Sequence, residues 1–419
     1  MPVRMASYTP VMHDKNVRCG DAPGRVAVLH QGFVPSYRRA FFERLSQAGP
    51  IEYVVFYGDP PAGSGLRGER GPFEFPSVYV RNVVLPFMGR SVVWQPVLRH
   101  VLGQGFDAVV IGHEIRFLAN NLIFLWFKAL RRPVLYWGHG TEIERDVRGL
   151  ARIPRALAVA AKRVAARRAD GYLVYTEGGR LHLIRDGVKA DRVTVVRNTI
   201  DTTEERCLAV ECRQFPERDI REELGLRPDS AVFVFLGRLY SEKRMDELPS
   251  AIALALDRKW ISRPVEIAVI GSGPDTASLR ARWEGTAWVR FTGGLPAHEV
   301  AKYLRVAAAV VIPGKVGLAV NHAFAHGRPV ITRRTALHSP EVEYIEHGRN
   351  GLVVDGDEQA FAQVLARFID DDALQTRLAE GAGRTSETLQ LQHMVTAFDS
   401  AVRRSLVTTR TPNCPARDQ

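Results

Sequence analysis

The chain has 419 residues, of which 57 are Lys or Arg and 46 are Asp or Glu, giving a formal net charge of +11. Hydrophobic residues make up 46% and charged residues 25%, the balance of a folded globular protein. That composition excludes a largely disordered chain, a collagen-like fibre and a disulfide-dense scaffold, and the length calls for two domains or more. Nucleic acid, an anionic membrane surface or an anionic substrate would each account for the positive charge. Lys supplies only eight of the 57 basic residues, however, and such an Arg bias also arises from genome composition. The four cysteines, Cys19, Cys207, Cys212 and Cys414, have no His partner at zinc-finger spacing, so a reduced cytoplasmic protein with incidental thiols is expected.

The first 24 residues lack the apolar core of a signal peptide, and residues 1–23 are expected to be a disordered tail. Short apolar runs with little polar alternation then recur between helical patterns. Strands are expected at 26–29, 53–57, 108–111, 134–137, 171–175 and 193–196, with helices at 39–47, 95–104, 116–130 and 153–169 between them. The oily segment 118–130, interrupted by Asn120, Asn121 and Lys128, reads as a buried helix, and no run approaches the ~18 apolar residues of a membrane span. A charged stretch, 201–229, breaks the pattern and is expected to be an interdomain linker. The alternation resumes with strands at 231–236, 265–270, 289–291, 308–312, 330–332 and 351–354, and a last helix at 387–404 precedes a tail, 405–419, expected to be disordered. Strand–helix alternation in both halves predicts an α/β protein of two doubly wound parallel sheets facing across a cleft.

Three segments of the second half carry chemistry. In FVFLGRLYSEKRMDEL, Gly237 permits a tight strand exit, and Arg238 and Lys243 sit five apart across a turn that leads into a helix. Two cations beside a helix start suit a diphosphate, although solvated cations at a helix start leave the same pattern. In AVIGSGPDTASLR the strand runs into Gly271 and Gly273, a nucleotide-type turn without the third glycine of the dinucleotide fingerprint, or simply a glycine connection. In VVIPGKVGLAVNHAFAHGRPVIT a buried strand ends at Pro313 and a helix is expected over 318–326. The amides of Val316, Gly317 and Leu318 would then face the cleft, free for sugar hydroxyls or a phosphate.

In this order and spacing the three segments resemble the donor-binding domain of the retaining group 1 glycosyltransferases (glycosyltransferase family 4), which have the GT-B fold. The resemblance also covers HSPEVEYIEHGRNGLVV and, in the first half, HQGFVPSYRRAFFERL, the Trp137-Gly138-His139-Gly140-Thr141-Glu142 segment and the crossover near Asn198 and Asp201. It implies a nucleotide diphosphate sugar as donor, a glycan or lipid-linked acceptor, retention of anomeric configuration and no metal or other cofactor. Arg238 and Lys243 would neutralise the leaving diphosphate. His139 would meet the donor sugar near the reacting carbon, with Glu142, Tyr37 and Arg38 on the acceptor side. It also implies an acceptor-binding domain of residues 24–200 plus 387–404 and a donor-binding domain of residues 230–386. One departure stands out: the family's two glutamates, eight positions apart, fall on Gly314 and His322. His322 would then have to meet the nucleotide in another way, or be an ordinary helix histidine.

In helix 153–169, Arg152, Arg155, Lys162, Arg163 and Arg167 fall mainly on one side, and Ile153, Leu157, Ala160 and Val164 on the other. Such a helix suits either anionic lipid, which would place a cytoplasmic protein at the inner membrane face, or a domain surface in water. The missing glutamates keep a second class in view, a GT-B protein without turnover that binds a nucleotide sugar or a partner enzyme. No recognition helix or zinc motif supports nucleic acid as a partner.

Overall fold

The computed structural model describes residues 24–30, 32–60, 68–87, 90–114, 116–140 and 152–410. The expected tail 1–23 and Glu142 lie outside the described residues. The described residues open with β1 (Arg25–Leu29), β2 (Val34–Pro35), α1 (Ser36–Ser46), β3 (Glu52–Tyr57), β4 (Gly68–Glu69) and β5 (Ser77–Tyr79). A hairpin of β6 (Val83–Phe87) and β7 (Arg90–Trp94) follows, then α2 (Leu98–Leu102), β8 (Ala108–Gly112), α3 (Leu118–Ala129) and β9 (Val134–Gly138). The first half closes with α4 (Arg152–Arg168), β10 (Gly171–Val174), α5 (Glu177–Arg185) and β11 (Val193–Val195).

Seven strands form one parallel sheet in the order β11-β10-β9-β8-β1-β3-β5. Val26 and Val28 of β1 point into one apolar core and Ala27 and Leu29 into another, so the sheet is covered on both faces. That double burial is why these strands read as continuous apolar runs. The strand order reverses between β1 and β8, the point at which doubly wound sheets bind ligands.

Next come α6 (Thr202–Arg213), α7 (Glu217–Glu223), β12 (Ala231–Leu236), α8 (Glu247–Asp257), β13 (Val265–Ile270), α9 (Thr276–Trp283) and β14 (Val289–Gly293). Then follow α10 (Ala297–Val306), β15 (Ala309–Val311), α11 (Ala319–Ala325), β16 (Val330–Arg333), β17 (Gly351–Val354), α12 (Glu358–Asp370), α13 (Asp372–Thr388) and α14 (Leu391–Arg410). The second sheet is also parallel, in the order β14-β13-β12-β15-β16-β17. Two Rossmann-like units with helices on both sheet faces give the α/β architecture that the alternation predicts.

Several expectations need correction. The stretch 201–229 is not a bare linker: it holds α6 and α7, and Ile220, Leu224 and Leu226 join the core of the second unit. The helix expected at 95–104 shrinks to five residues, with Pro96 ahead of it and Gly103 and Gly105 behind, the latter at φ +67°. The last helix continues to Arg410, so residues 405–410 belong to α14 and not to a tail. Leu391, Val395, Phe398 and Val402 of α14 lie in a core of the first unit. Finally, α3 is only half-buried. Large apolar residues lie on both its faces and one of its polar residues is buried, so hydropathy could not say which face would be covered; Asn120 and Ile123 turn inward while Leu125 stays 63% exposed.

Candidate functional site

The ends of β12, β13 and β15 build one side of the cleft. After Leu236, Gly237 takes φ +134°, and the Leu239 amide donates to the Ser272 carbonyl at 3.1 Å. A Cβ on Gly271 would collide with the Gly237 carbonyl, and one on Gly273 with the Leu239 carbonyl. These two glycines therefore let the turns stack, and their part in the site is to shape the backbone. The same logic explains a missing glutamate. The Gly314 amide donates to the Lys243 carbonyl at 2.9 Å, and a Cβ there would overlap the backbone of Glu242 and Lys243. No side chain fits at 314 while the Pro-Gly-Lys loop rests on that turn.

Lys243 ends a one-turn 3-10 helix, Ser241–Lys243, and is only 6% exposed. A Cβ on Gly237 would lie 3.9 Å from its Nζ, so the ammonium sits under the strand exit. Burial lowers its pKa to about 8, with Glu341 acting against that shift and Lys315 adding to it. Arg238 is half-buried in the same loop. Lys315, half-buried in the loop that replaces the glutamate, acts electrostatically on both Lys243 and His139. The sequence reading passed over Lys315 because a lysine in a glycine loop carries no pattern of its own.

At the start of α11 two of the expected site groups have partners within the protein. The Val316 amide is not open to a ligand: it donates to His338 Nδ1 at 3.1 Å, while His338 Nε2 meets the Arg333 carbonyl at 2.8 Å. His322 is engaged at one ring nitrogen by the protein itself. Its Nδ1 lies 3.0 Å from Glu205 Oε1, and His326 Nε2 lies 3.1 Å from Glu205 Oε2. The cause is α6, which packs on α11 and carries Glu205 into place. Burial would raise the Glu205 carboxyl, but hydrogen bonds from the two histidines and their charge bring it down to about 2. Gly317 and Leu318 remain half-buried at the helix entry.

Across the cleft, β1 and β9 end in histidines. His30 stacks on Trp137 at 3.9 Å and lies 3.2 Å from the Tyr175 hydroxyl. His139 packs edge-on to Tyr175 at 5.2 Å. His139 is exposed at the cleft surface, yet the protein packed around its ring, followed by the charges of Lys315, Arg38 and Lys162, lowers its pKa to about 4. At neutral pH the ring is thus an uncharged hydrogen-bonding group. Arg38, expected on the acceptor side, is instead 1% exposed, because α1 turns it inward among the Trp137, Tyr175 and Phe41 rings. It donates to Asn198 Oδ1, and Asn198 Nδ2 donates to Glu341 Oε1. The chain Arg38–Asn198–Glu341 thus runs from the first unit through the crossover into the second. Tyr37 is half-buried beside it, its ring 5.2 Å from the Arg38 guanidinium.

His139 lines two cavities. One, of about 160 Å³, lies in the first unit among His30, His113, Lys162, Tyr172 and His182. The other, of about 370 Å³, spans both units between Thr176 and the 334–345 segment. Lys162, read from sequence as part of an outward basic face, turns toward the first cavity, while Ala160 and Val164 are exposed. Arg163 and Arg167 are tied to Asp186. The side chains of Arg152, Ile153, Arg155 and Leu157 lie outside the described residues.

Two Rossmann-like units with their strand ends turned to a shared cleft define a GT-B glycosyltransferase fold. Residues 230–371 match the family model described as glycosyl transferases group 1, and residues 38–204 match that described as glycosyltransferase family 4. The chain belongs to the group 1 glycosyltransferases of family 4. It is 32% identical over 181 residues to a D-inositol 3-phosphate glycosyltransferase of Streptomyces avermitilis, covering 40% of this chain and 38% of that protein. A counterpart from Jonesia denitrificans is 33% identical over 199 residues, covering 45% and 46%. The match thus spans less than half the length of these curated relatives. Among solved structures, Anabaena HepE in complex with UDP superposes with a TM-score of 0.65 at 17% identity, over 91% of this chain and 100% of that one. Sucrose-phosphate synthase from Thermosynechococcus elongatus does so with 0.67 at 16%, over 92% and 100%.

Proposed function

We propose that the protein transfers a sugar from a nucleoside diphosphate sugar to a glycan or lipid-linked acceptor, with retention of the anomeric configuration. The observation that carries this reading is Lys243, a buried ammonium under the Gly237 turn with Lys315 beside it and His139 across the cleft. A buried ammonium suits a leaving diphosphate, whose developing charge it stabilises best where water is excluded. Arg238 and Lys243 take that role with no resident metal, the acceptor attacks from the face from which the diphosphate leaves, and the departing phosphate oxygen takes the acceptor proton. His139, neutral at pH 7, hydrogen-bonds the sugar. The UDP complex of HepE makes a uridine diphosphate sugar the first donor to try. The names of the curated relatives, together with Lys162 in the first-unit cavity, favour a phosphorylated polyol as a second acceptor to set beside a lipid-linked one.

Release of nucleoside diphosphate from UDP-, GDP- and dTDP-sugars in the presence of an acceptor panel tests the reading, and the anomeric proton coupling of the product tests retention. Activity should survive EDTA. No diphosphate release from any donor would leave the non-catalytic reading standing. His322→Ala is expected to lower stability by about 1.5–3 kcal/mol, the range for hydrogen bonds to a charged partner. Nucleotide affinity should hold within roughly twofold, or about 0.4 kcal/mol. Thermal melts and UDP titration measure the two effects, and a selective loss of affinity would return His322 to the donor site. The pH profile of kcat/KM should show no inflection from His139 between about pH 5 and 8, since its pKa lies near 4.

A further inference from the structure

Exposed apolar side chains are not spread evenly over this protein. Of the seventeen large hydrophobic residues exposed among those described, ten fall between Tyr79 and Leu130. Leu118, Leu122, Leu125 and Trp126 of α3, with Leu130 just beyond its end, repeat at helical spacing along one face and are 41–63% exposed. Val83, Val84 and Leu85 of the β6–β7 hairpin are 42–47% exposed. The two groups are neighbours, since α3 packs on β7 and Val93 bridges to Phe117 at the helix entry. Scattered exposed leucines need no explanation, but a contiguous apolar face does.

The charge of the same stretch selects an occupant. Residues 79–132 contain seven Arg or Lys against two acids, Asp107 and Glu114. Arg81, Arg99 and Arg131 are exposed. An apolar strip rimmed by cations, with a tryptophan in it, complements an anionic bilayer surface, where side chains enter the acyl boundary and arginines meet headgroups. At twelve residues, α3 is about 18 Å long, too short to span a membrane. Among the described residues no helix is long and apolar enough to cross one. The face also adjoins the site: His113 and Glu114, which line the first-unit cavity, immediately precede the turn into α3.

We infer that α3 and the β6–β7 hairpin form a monotopic docking surface for an anionic lipid bilayer, and that it is this face rather than α4 that meets the membrane. A headgroup-linked substrate at such a surface would reach the cavity beside His113 without leaving the interface.

The test uses the full chain and vesicles of phosphatidylcholine with roughly 30% phosphatidylglycerol, alongside pure phosphatidylcholine. Wild type should sediment with the anionic vesicles and release as salt rises. The triple variant Leu122→Ser, Leu125→Ser, Trp126→Ser should bind at least about tenfold more weakly. Trp126→Phe should still bind but lose most of the blue shift in tryptophan emission that vesicles induce in wild type. Both variants should keep the wild-type far-ultraviolet circular dichroism and UDP-induced thermal shift, which separates this inference from the transfer reaction. The inference is overturned if wild type sediments with neither vesicle or if the triple variant binds unchanged. It is equally overturned if the triple variant converts a vesicle-free dimer to monomer by light scattering, which would assign the face to a second copy.

Discussion

Lys243→Ala should lower kcat/KM for the sugar donor by about 2–4 kcal/mol, roughly 30- to 900-fold, the loss seen when one group that stabilises transition-state charge is removed. The ammonium is costly to keep buried, and that cost appears as a pKa near 8. Without ligand about nine-tenths of the molecules carry the charge at pH 7 and about one-tenth at pH 9, so kcat/KM should fall close to tenfold per unit above pH 8. Bound diphosphate favours the charged form and moves that limb upward in kcat. Lys243→Met separates function from folding. Because the pKa is lowered on folding, the charged lysine destabilises the free protein below pH 8, and the apolar variant should melt at the same or a higher temperature while losing activity. An active Lys243→Ala enzyme that keeps its alkaline limb would remove Lys243 from the reaction.

The sequence made the two parallel sheets legible because every central strand is buried on both faces and so reads as an unbroken apolar run. It also made the Gly237–Lys243 turn legible, since spacing within seven residues fixes that geometry. What escaped it were partnerships between distant segments. Glu205 lies 117 positions from His322, Arg38 lies 160 from Asn198 and Asn198 lies 143 from Glu341. Nothing in the local pattern of any one of these residues announces its partner. The absent glutamates were visible, but that Gly314 must lack a side chain follows only from the Glu242–Lys243 backbone pressed against it. The partial burial of α3 escapes the sequence for a related reason: large apolar residues lie on both faces and Asn120 is buried, so periodicity does not reveal which side is covered.

Arg38→Met should cost about 3–5 kcal/mol of stability, the range for breaking a buried charged network by removing one member. The guanidinium is enclosed by aromatic rings, donates to Asn198 and to the Met394 sulfur at 3.4 Å, and through Asn198 faces the buried Glu341 carboxyl. Burial raises the pKa of Glu341, while the hydrogen bonds from Asn198 and from its own backbone and the charges of Arg38 and Lys243 oppose that rise; among the described residues its Oε2 has no hydrogen-bond partner. A carboxyl whose pKa is raised on folding favours the folded state most below its unfolded pKa, and that contribution is lost as pH climbs through the folded value. Removing Arg38 raises the folded value further, so the decline in melting temperature, which starts at the unfolded pKa, should become deeper and extend to higher pH. Glu341→Gln should abolish the decline and cost less in the Arg38→Met background than alone, a coupling of about 1 kcal/mol or more in a double-mutant cycle. Strict additivity would mean the two residues act separately. Coupling would make Asn198 the joint through which the first unit sets the position of Glu341, and with it the charge environment of Lys243.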